Sequence, residues 1–596
     1  VGDWEVKKLK LADYVIEFIV KEGVHHVFEL IGGAITHLLD SVYLREDITC
    51  ISVHHEQAAA FAAEAYARVN GELGVAMATS GPGALNLVTG IGSCYFDSVP
   101  CLFITGQVNT YEYKFERPIR QVGFQETDIV SIVRPITKYC AMITQPETIR
   151  YHLEKAVFLA RNGRPGPVLL DLPMDIQRTE IDPPILPGFF ESKEFFVAQD
   201  FLPACSSAII EKVIQLIAAA QRPVILAGGG VRAAGAVEQL NELVCHTGIP
   251  IVTSLMGLDV IRHDHPGFYG MIGTYANRYS NFTVANSDFL LILGSRLDSR
   301  QTGTRPLTFA RAAQKVQVDI DPAELGGKVR PDLAVHCHLK DFLEKLNLQL
   351  KAHPIKDLSQ WYQIIHQYQS ELSTAAINEN ESQNNPNNLI KELSLCTNDD
   401  NIVILDVGQN QMWAAQSFRL KKGQRMLVSG GMGAMGFGIA AAIGASFAAP
   451  AKSVIVIAGD GGVQINIQEL DTIWSHQLPI KIFIFNNHCL GMVRQFQDCY
   501  FNGRRQSTVF GYNCPDLTSI AAAYGIPTFT IKPANDAVKI IQEALKINGP
   551  AFINIELETD TTVDPKLLVN KPLEDMEPSL CRKKLKKLML IDLLEE

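Results

Sequence analysis

Short apolar runs punctuate this chain, and stretches with helical spacing separate them. In the first part the runs lie at 48–53, 74–78, 101–104 and 168–171. In the middle they lie at 223–226, 289–293 and 316–320, and in the last part at 403–405, 454–457 and 482–485. Most show little alternation of apolar and polar positions, which marks strands buried on both faces, as in parallel sheets. Between the runs at 454–457 and 482–485, Ile467, Leu470, Ile473 and Trp474 recur at helical spacing. An alanine-rich segment at 58–69 follows the run at 48–53 in the same way. Repeated βα alternation predicts an α/β fold of three doubly wound parallel-sheet domains.

Composition shifts place the boundaries. Asp182, Pro183, Pro184, Pro187 and Gly188 have linker character and close a first domain over 1–188. A second domain covers 189–377. The polar tract at 378–388, rich in Asn and Glu, reads as a linker. A third domain spans 389–565 and a tail 566–596. The basic run Arg582, Lys583, Lys584, Lys586 and Lys587 in that tail reads as a solvated helix face. No internal sequence repeat is visible.

A chain of 596 residues exceeds one core, in keeping with several domains. Its 47% hydrophobic and 20% charged residues are those of an ordinary globular enzyme. A net charge of −11 argues against nucleic acid as a partner. The twelve cysteines contain no CxxC pair, which points away from a zinc site or a disulfide framework and toward a reducing cytoplasm. No stretch approaches the roughly 18 apolar residues that a membrane helix needs, and the N-terminus lacks a signal-peptide core.

The candidate chemistry gathers at strand ends. The run at 454–457 leads into Gly459-Asp460-Gly461-Gly462, and the run at 482–485 ends in Asn486-Asn487. Both motifs then sit at the carboxyl edge of a parallel sheet, where open α/β sheets bind ligands. A carboxylate and an amide oxygen are hard donors suited to Mg²⁺, which is completed by phosphate oxygens and water. Glycines at 459, 461 and 462 let backbone N–H groups approach a phosphate. Glu56 lies between the run at 48–53 and the alanine-rich helix, in a first helical turn. Gly431, Gly433 and Gly436 spell a formal GxGxxG, but no acid follows about twenty residues on, as a dinucleotide fingerprint requires.

The Asp460 and Asn487 motifs, 27 residues apart, resemble the thiamin diphosphate signature. That resemblance implies Mg²⁺ held by Asp460, Asn487 and the carbonyl of Cys489. His55-Glu56-Gln57 and the alanines after it resemble the segment bearing the family's glutamate, which exchanges a proton with the cofactor's aminopyrimidine. Met435 matches the family's apolar wedge under the cofactor, with the backbone of Gly433 and Met435 on the pyrimidine ring. Residues 407–416 resemble the diphosphate-contacting stretch of acetolactate (acetohydroxyacid) synthases, which implies contacts from Gln409 and from Asn410, where the family has histidine. Met492 falls in the matching segment after the metal asparagine.

The resemblance to acetolactate synthases extends over nearly the whole chain. Residues 79–84 match TSGPGA, and 124–130 match FQETDIV, a resemblance that implies Gln125 over the reactive carbon. In that resemblance Phe124-Gln125 points to carbon–carbon bond formation, where simple 2-keto-acid decarboxylases carry a histidine pair. Gly33 matches a glycine turn at the reaction centre. In the middle domain, stretches around Gly273, Arg296 and Asp319 resemble those flanking FAD, and Gly228 and Gly229 suit the flavin phosphates. Arg300 matches an arginine that holds the acceptor carboxylate, a task for which a guanidinium fork is well shaped. Three positions depart from the family, all on the acceptor side: Phe496 replaces tryptophan, Met174 replaces lysine and Ser299 replaces an acid.

The resemblance thus implies pyrimidine-binding, central FAD-type and diphosphate-binding domains. It implies a thiamin diphosphate- and Mg²⁺-dependent carboligase that decarboxylates pyruvate and adds the acetyl unit to a second 2-keto acid or ketone. A homodimer or homotetramer is implied, with room for a regulatory subunit. Rival readings are a larger or aromatic keto acid, a keto sugar or sulfoacetaldehyde as acceptor, and a flavin-dependent pyruvate oxidase.

Overall fold

A computed structural model of the chain describes residues 8–198, 204–353, 356–373, 385–533 and 536–594. Its frame is three six-stranded parallel sheets. The first sheet contains β1 (His26–Leu30), β2 (Thr49–Ser52), β3 (Gly74–Ala78), β4 (Cys101–Gln107), β5 (Tyr139–Met142) and β6 (Val168–Pro173), in the order 2-1-3-4-6-5. The central sheet contains β7 (Pro223–Ala227), β8 (Ile251–Thr253), β9 (Phe268–Met271), β10 (Phe289–Leu293), β11 (Gln314–Asp319) and β12 (Leu333–His336), in the order 9-8-7-10-11-12. The last contains β13 (Ile402–Leu405), β14 (Arg425–Val428), β15 (Val454–Gly459), β16 (Ile480–Asn486), β17 (Thr528–Ile531) and β18 (Ala551–Glu556), in the order 14-13-15-16-18-17.

The first and last sheets therefore share one strand order, although the sequence shows no repeat. The central sheet has the dinucleotide-fold order, with its switch point between β7 and β10. In the outer sheets the switch point lies between the first and third strands.

Both faces of each sheet are covered, which is why the strands read as unbroken apolar runs. In β3, Ala76 and Ala78 enter one core while Val75 and Met77 enter the other. The first and last sheets share a core through two helices, α1 (Glu56–Asn70) and α3 (Phe437–Ala448). The alanines of α1 and the glycines of α3 allow a close crossing: a Cβ on Gly444 would stand 1.9 Å from the Ala62 carbonyl oxygen. Phe61 meets Phe437 edge-on, centroids 5.5 Å apart. Two further helices follow strands of the last sheet, α2 (Gln409–Ser417) after β13 and α4 (Gly491–Tyr500) after β16.

The polar tract differs from its reading as a linker. Asn385 is an N-cap whose side chain accepts from Asn387 N, and Pro386–Cys396 is a helix that packs on α2. Asn before Pro at the first helical position is an efficient start signal, and it outweighs the polarity of the tract. Residues 378–384 lie outside the described residues. The tail forms a two-stranded antiparallel pair, Lys566–Leu567 with Met576–Glu577, and a helix, Arg582–Leu588, whose Leu585 and Leu588 are buried. No helix among the described residues is long and apolar enough to cross a membrane.

Candidate active site

The last sheet brings Asp406, Asp460 and Asn487 to neighbouring strand ends at its switch point. Asp460 starts a short helical turn after β15 and is 1% exposed. Its Oδ2 accepts a hydrogen bond from Tyr512 at 2.7 Å, and the Tyr512 hydroxyl in turn accepts from Gln464 Nε2 at 3.1 Å. Burial pushes the Asp460 carboxyl above its ordinary range. No ion pair to Asp460 exists among the described residues, so its negative charge lacks a protein partner.

Asn487 donates from Nδ2 to Gln409 Oε1 at 2.8 Å. That bond fixes the amide and leaves Oδ1, which takes no hydrogen bond among the described residues, able to bind a cation. The Cys489 carbonyl accepts from Gly491 N at 2.9 Å and keeps a second lone pair. Among the described residues no group of three or more His, Cys, Asp or Glu could hold a metal. The oxygen set of Asp460, Asn487 and the Cys489 carbonyl nevertheless fits Mg²⁺, which needs few protein ligands when phosphate completes its shell.

The glycines here are packing requirements. A Cβ on Gly461 would meet Leu490 Cδ2 at 2.5 Å, and one on Gly462 would meet Asp406 Cγ at 3.0 Å. Gly459 would press on Asn410 Oδ1 at 3.2 Å. Gly433 differs: it has φ +65° and nothing within 4 Å of its Cβ position, so a space lies beside the turn that carries Met435. Met435 reaches toward Gly461 and forms one wall of that turn. A bound cofactor ring fits such a space, and the donor chemistry fits a Mg²⁺-diphosphate.

Two side chains behave differently from their sequence reading. Gln409 uses both Nε2 hydrogens on Gln495 Oε1 (3.2 Å) and the Thr561 carbonyl (3.1 Å). Asn410 donates to the carbonyls of Asp406 (2.7 Å) and Ile457 (3.0 Å). Neither amide retains a side-chain donor for a phosphate. The backbone N–H groups at the start of α2, which a helix leaves without intrahelical partners, are the donors that remain for an anion here.

Asp406 directly follows β13, and the sequence reading does not single it out. It is fully buried and accepts from the backbone N–H groups of Val407 (2.6 Å), Gly436 (3.0 Å) and Gly438 (3.3 Å). It thereby ties the glycine-rich turn before α3 to the β13 strand end. Burial pushes its carboxyl up to about 6.

In the first sheet, Glu56 opens α1 behind an N-cap, His55, whose ring accepts from Gln57 N. Glu56 is 6% exposed, and its Oε2 accepts from Asn86 Nδ2 at 2.9 Å. Gly83 leaves room for the other oxygen: a Cβ there would stand 3.2 Å from Oε1. Next along α1, Gln57 turns to the last domain and accepts from Asn466 Nδ2, which also holds the Gly436 carbonyl. Glu56 itself is held within the first domain, by Asn86 and beside Gly83. Gly33 has open space at its Cβ position. Gln125 adopts φ +66° against Gly81, and Phe124 is 85% exposed. Glu126 braces their loop by accepting from Lys114 N (2.9 Å) and Val122 N (2.6 Å).

The acceptor-side residues are looser. Arg300 is exposed, with no ion pair to its guanidinium among the described residues. Its carbonyl accepts from Thr274 N at 2.7 Å. Phe496, on α4, is 43% exposed and packs on Tyr500 with centroids 4.7 Å apart. Met492, on the same helix, and Met174, which follows β6, are half-buried.

A cavity of about 640 Å³ opens at the central switch point. Gly229, Arg296, Asp319 and Arg300 line it. Gly228 and Gly273 do not, contrary to their sequence reading. A Cβ on Gly228 would strike the Gly294 carbonyl oxygen at 2.2 Å, and one on Gly273 the Arg300 carbonyl oxygen at 2.3 Å. Both glycines serve close backbone crossings.

Comparison with known families matches residues 9–132 to the thiamine pyrophosphate enzyme N-terminal TPP binding domain, 210–346 to the central domain and 406–555 to the C-terminal TPP binding domain. A probable acetolactate synthase large subunit of Methanocaldococcus jannaschii is 40% identical over 564 residues, 92% of each chain. The acetolactate synthase large subunit of Lactococcus lactis is 37% identical over 580 residues, 94% of this chain and 96% of the relative. The acetolactate synthase isozyme 3 large subunit of Escherichia coli is 33% identical, covering 96% of this chain and 99% of the relative. With three parallel-sheet domains in the matching order and identity sustained across their whole length, the chain belongs to the thiamin diphosphate enzymes, within the acetolactate synthase large-subunit family.

Proposed function

We propose that this chain is the catalytic subunit of a thiamin diphosphate- and Mg²⁺-dependent carboligase, joining the acetyl unit of pyruvate to a second 2-keto acid. The observation that carries this reading is the buried Asp460 carboxylate without a protein cation, beside an Asn487 amide held with its oxygen free. When bound, thiamin diphosphate supplies a nucleophilic carbon and an electron sink for the pair left when CO₂ departs. In the net reaction the C1–C2 bond of pyruvate breaks, its C2 bonds to the acceptor carbonyl carbon, and the acceptor oxygen takes a proton.

The chain's own residues then have distinct tasks. Asp460, Asn487 and the Cys489 carbonyl hold the metal, and the N-terminus of α2 receives the diphosphate. Gly433 and Met435 seat the pyrimidine ring. Glu56, kept in place by Asn86, exchanges a proton with that ring. Gln125, in its left-handed turn, and Gly33 face the reacting carbon. Arg300 offers an unpaired guanidinium to the acceptor carboxylate. Among the described residues Glu56 makes no hydrogen bond to the Met435 turn of its own chain, and in this reading it serves the cofactor of a second copy. The exposed Phe124, Ile31 and Ile465 support such a dimer. The relatives named as large subunits support a regulatory partner. The twelve free thiols support a reducing compartment such as the cytoplasm.

The central cavity supports FAD, with Gly229 beside its phosphates and Arg296 and Asp319 along its length. Purified protein is then yellow; protein that is colourless and gains no bound flavin from added FAD would reject that assignment. The carboligase reading is tested by mass spectrometry of products from pyruvate, thiamin diphosphate and Mg²⁺, with and without acceptor keto acids. New C–C-bonded hydroxy acids support it. Acetyl phosphate or peroxide in their place would point to the rival enzymes.

A further inference from the structure

The segment 561–570 runs along α4 from the diphosphate anchor to Arg300. At one end the Thr561 carbonyl accepts from Gln409, and Val563 exchanges two 3.0 Å hydrogen bonds with the Gln495 amide. At the other, Leu567 N donates to the Thr274 carbonyl at 2.7 Å, and Thr274 N donates to the Arg300 carbonyl at 2.7 Å. Val569 N donates to the Tyr500 hydroxyl at 3.0 Å. Lys566 lies between these ties.

Two lysines are buried among the described residues, Lys481 and Lys566. Lys481 donates to the carbonyls of Ile547 and Gly549, as a buried ammonium must when it lacks a carboxylate. Lys566, 4% exposed, has no such arrangement. Its ammonium lies 3.8 Å from Cys499 Sγ, a weak acceptor, and 5.8 and 5.9 Å from the ring centroids of Phe496 and Tyr500. No carboxylate lies within ion-pair distance of it among the described residues. Ring faces attract a cation but take no N–H hydrogen bond of full strength. An ammonium has three donors, so at least two are left for something else. The rings beside it belong to α4, which carries Phe496 where the family has a larger tryptophan, and both rings are about two-fifths exposed.

We propose that Lys566 is a second cationic contact of the acceptor site, and that the acceptor is a 2-keto acid carrying a second anionic group. This inference rests on the carboligase reading. Arg300 takes the carboxylate next to the keto group. Lys566, set beside Phe496 and joined to Arg300 through Leu567 and Thr274, takes the distal anion. A carboxylate or a phosphate satisfies its free donors equally, so the anion class is shared between dicarboxylic and phosphorylated keto acids.

The test uses full-length holoenzyme with pyruvate as donor and compares 2-oxoglutarate, its isostere 2-oxoglutaramate, which is neutral at the distal end, and 3-phosphohydroxypyruvate as acceptors. The expected kcat/KM for 2-oxoglutarate or the phosphate exceeds that for the neutral amide at least tenfold, and whichever anion is preferred names the source. Lys566→Met brings the ratio near one through the acceptor KM, and Lys566→Arg restores much of it. A ratio near one in the unaltered chain, or a ratio that survives in Lys566→Met, overturns the inference. Calorimetric binding of 2-oxoglutarate and 2-oxoglutaramate to the unaltered holoenzyme gives the same comparison without turnover and without a variant that must fold. A C–C-bonded hydroxy acid formed from pyruvate with any keto acid acceptor, charged or not at its distal end, tests the carboligase reading separately.

Discussion

The proposed cofactor anchor and acceptor rim meet along one helix, α4, and they are built by opposite rules. At the anchor, Gln409 and Asn410 use all their amide hydrogens inside the protein, and Asp406 accepts three backbone N–H groups. Among the described residues the Asp460 charge, the Asn487 oxygen and a lone pair of the Cys489 carbonyl are left over, an oxygen set that fits Mg²⁺ beside a diphosphate. At the rim, Arg300 has no ion pair among the described residues, Phe496 is exposed and Lys566 is buried beside a thiol and two rings. A closed hydrogen-bond network fixes one ligand. A rim with loose cations and a replaceable aromatic ring can change its substrate without disturbing that network.

The sharpest way to break this division is at the anchor. Asp460→Ala removes the carboxylate of the proposed metal site, and Mg²⁺-dependent binding of thiamin diphosphate is expected to be lost at any practical cofactor concentration, as read by calorimetry. Unchanged affinity would put the metal elsewhere. Glu56→Gln leaves the anchor whole but removes the proton relay. Turnover should fall by about 10² to 10⁴-fold, the usual range for a positioned acid–base group, while the cofactor still binds. Retained turnover would assign Glu56 to helix dipole stabilisation alone.

Asp406→Asn tests whether the network itself matters. An amide offers one acceptor oxygen in place of two, so at least one of the N–H groups of Val407, Gly436 and Gly438 is stranded. The expected loss is about 1–3 kcal/mol, seen as a lower Tm and weaker cofactor binding. The pH profile gives a second check. With its folded-state pKa raised to about 6, Asp406 holds its proton more tightly folded than unfolded. Its contribution is therefore fully present below its ordinary pKa near 3.8 and is lost as pH rises through about 6. That downward slope should flatten in Asp406→Asn; an unchanged slope would assign it to another buried acid.

The division also explains which parts were legible in the sequence. Strands buried on both faces, such as Val454–Gly459 and Phe289–Leu293, stand out as apolar runs. Tyr139–Met142 and Thr528–Ile531 do not, because they are edge strands with half-buried side chains. Asp460, Asn487 and Glu56 were legible because their motifs are local and bounded by strands or helices. Asp406 and Tyr512 were not. Each acts on residues 30 or more positions away, and a lone Asp or Tyr carries no pattern; for Asp406 the position directly after an apolar run was the one available signal. Gly228 and Gly273 misled for a related reason: a glycine required by a backbone crossing looks the same in sequence as one required by a phosphate.

The smallest expected effect lies at Phe496, and it tests the rim directly. The ring is 43% exposed, rests on Tyr500, and makes no contact with Asp460 or Asn487 in the hydrogen-bond network of the anchor. Phe496→Trp adds a larger ring beside Lys566 without removing a hydrogen bond. Cofactor affinity and CO₂ release from pyruvate should stay within about twofold, since surface substitutions away from such features change little. The ratio of kcat/KM between a small and a large acceptor keto acid should move by about tenfold, the scale of a one- or two-methylene change in a pocket. A change in cofactor affinity with an unchanged acceptor ratio would reverse the assignment, placing Phe496 in the anchor and leaving the rim to Arg300 and Lys566.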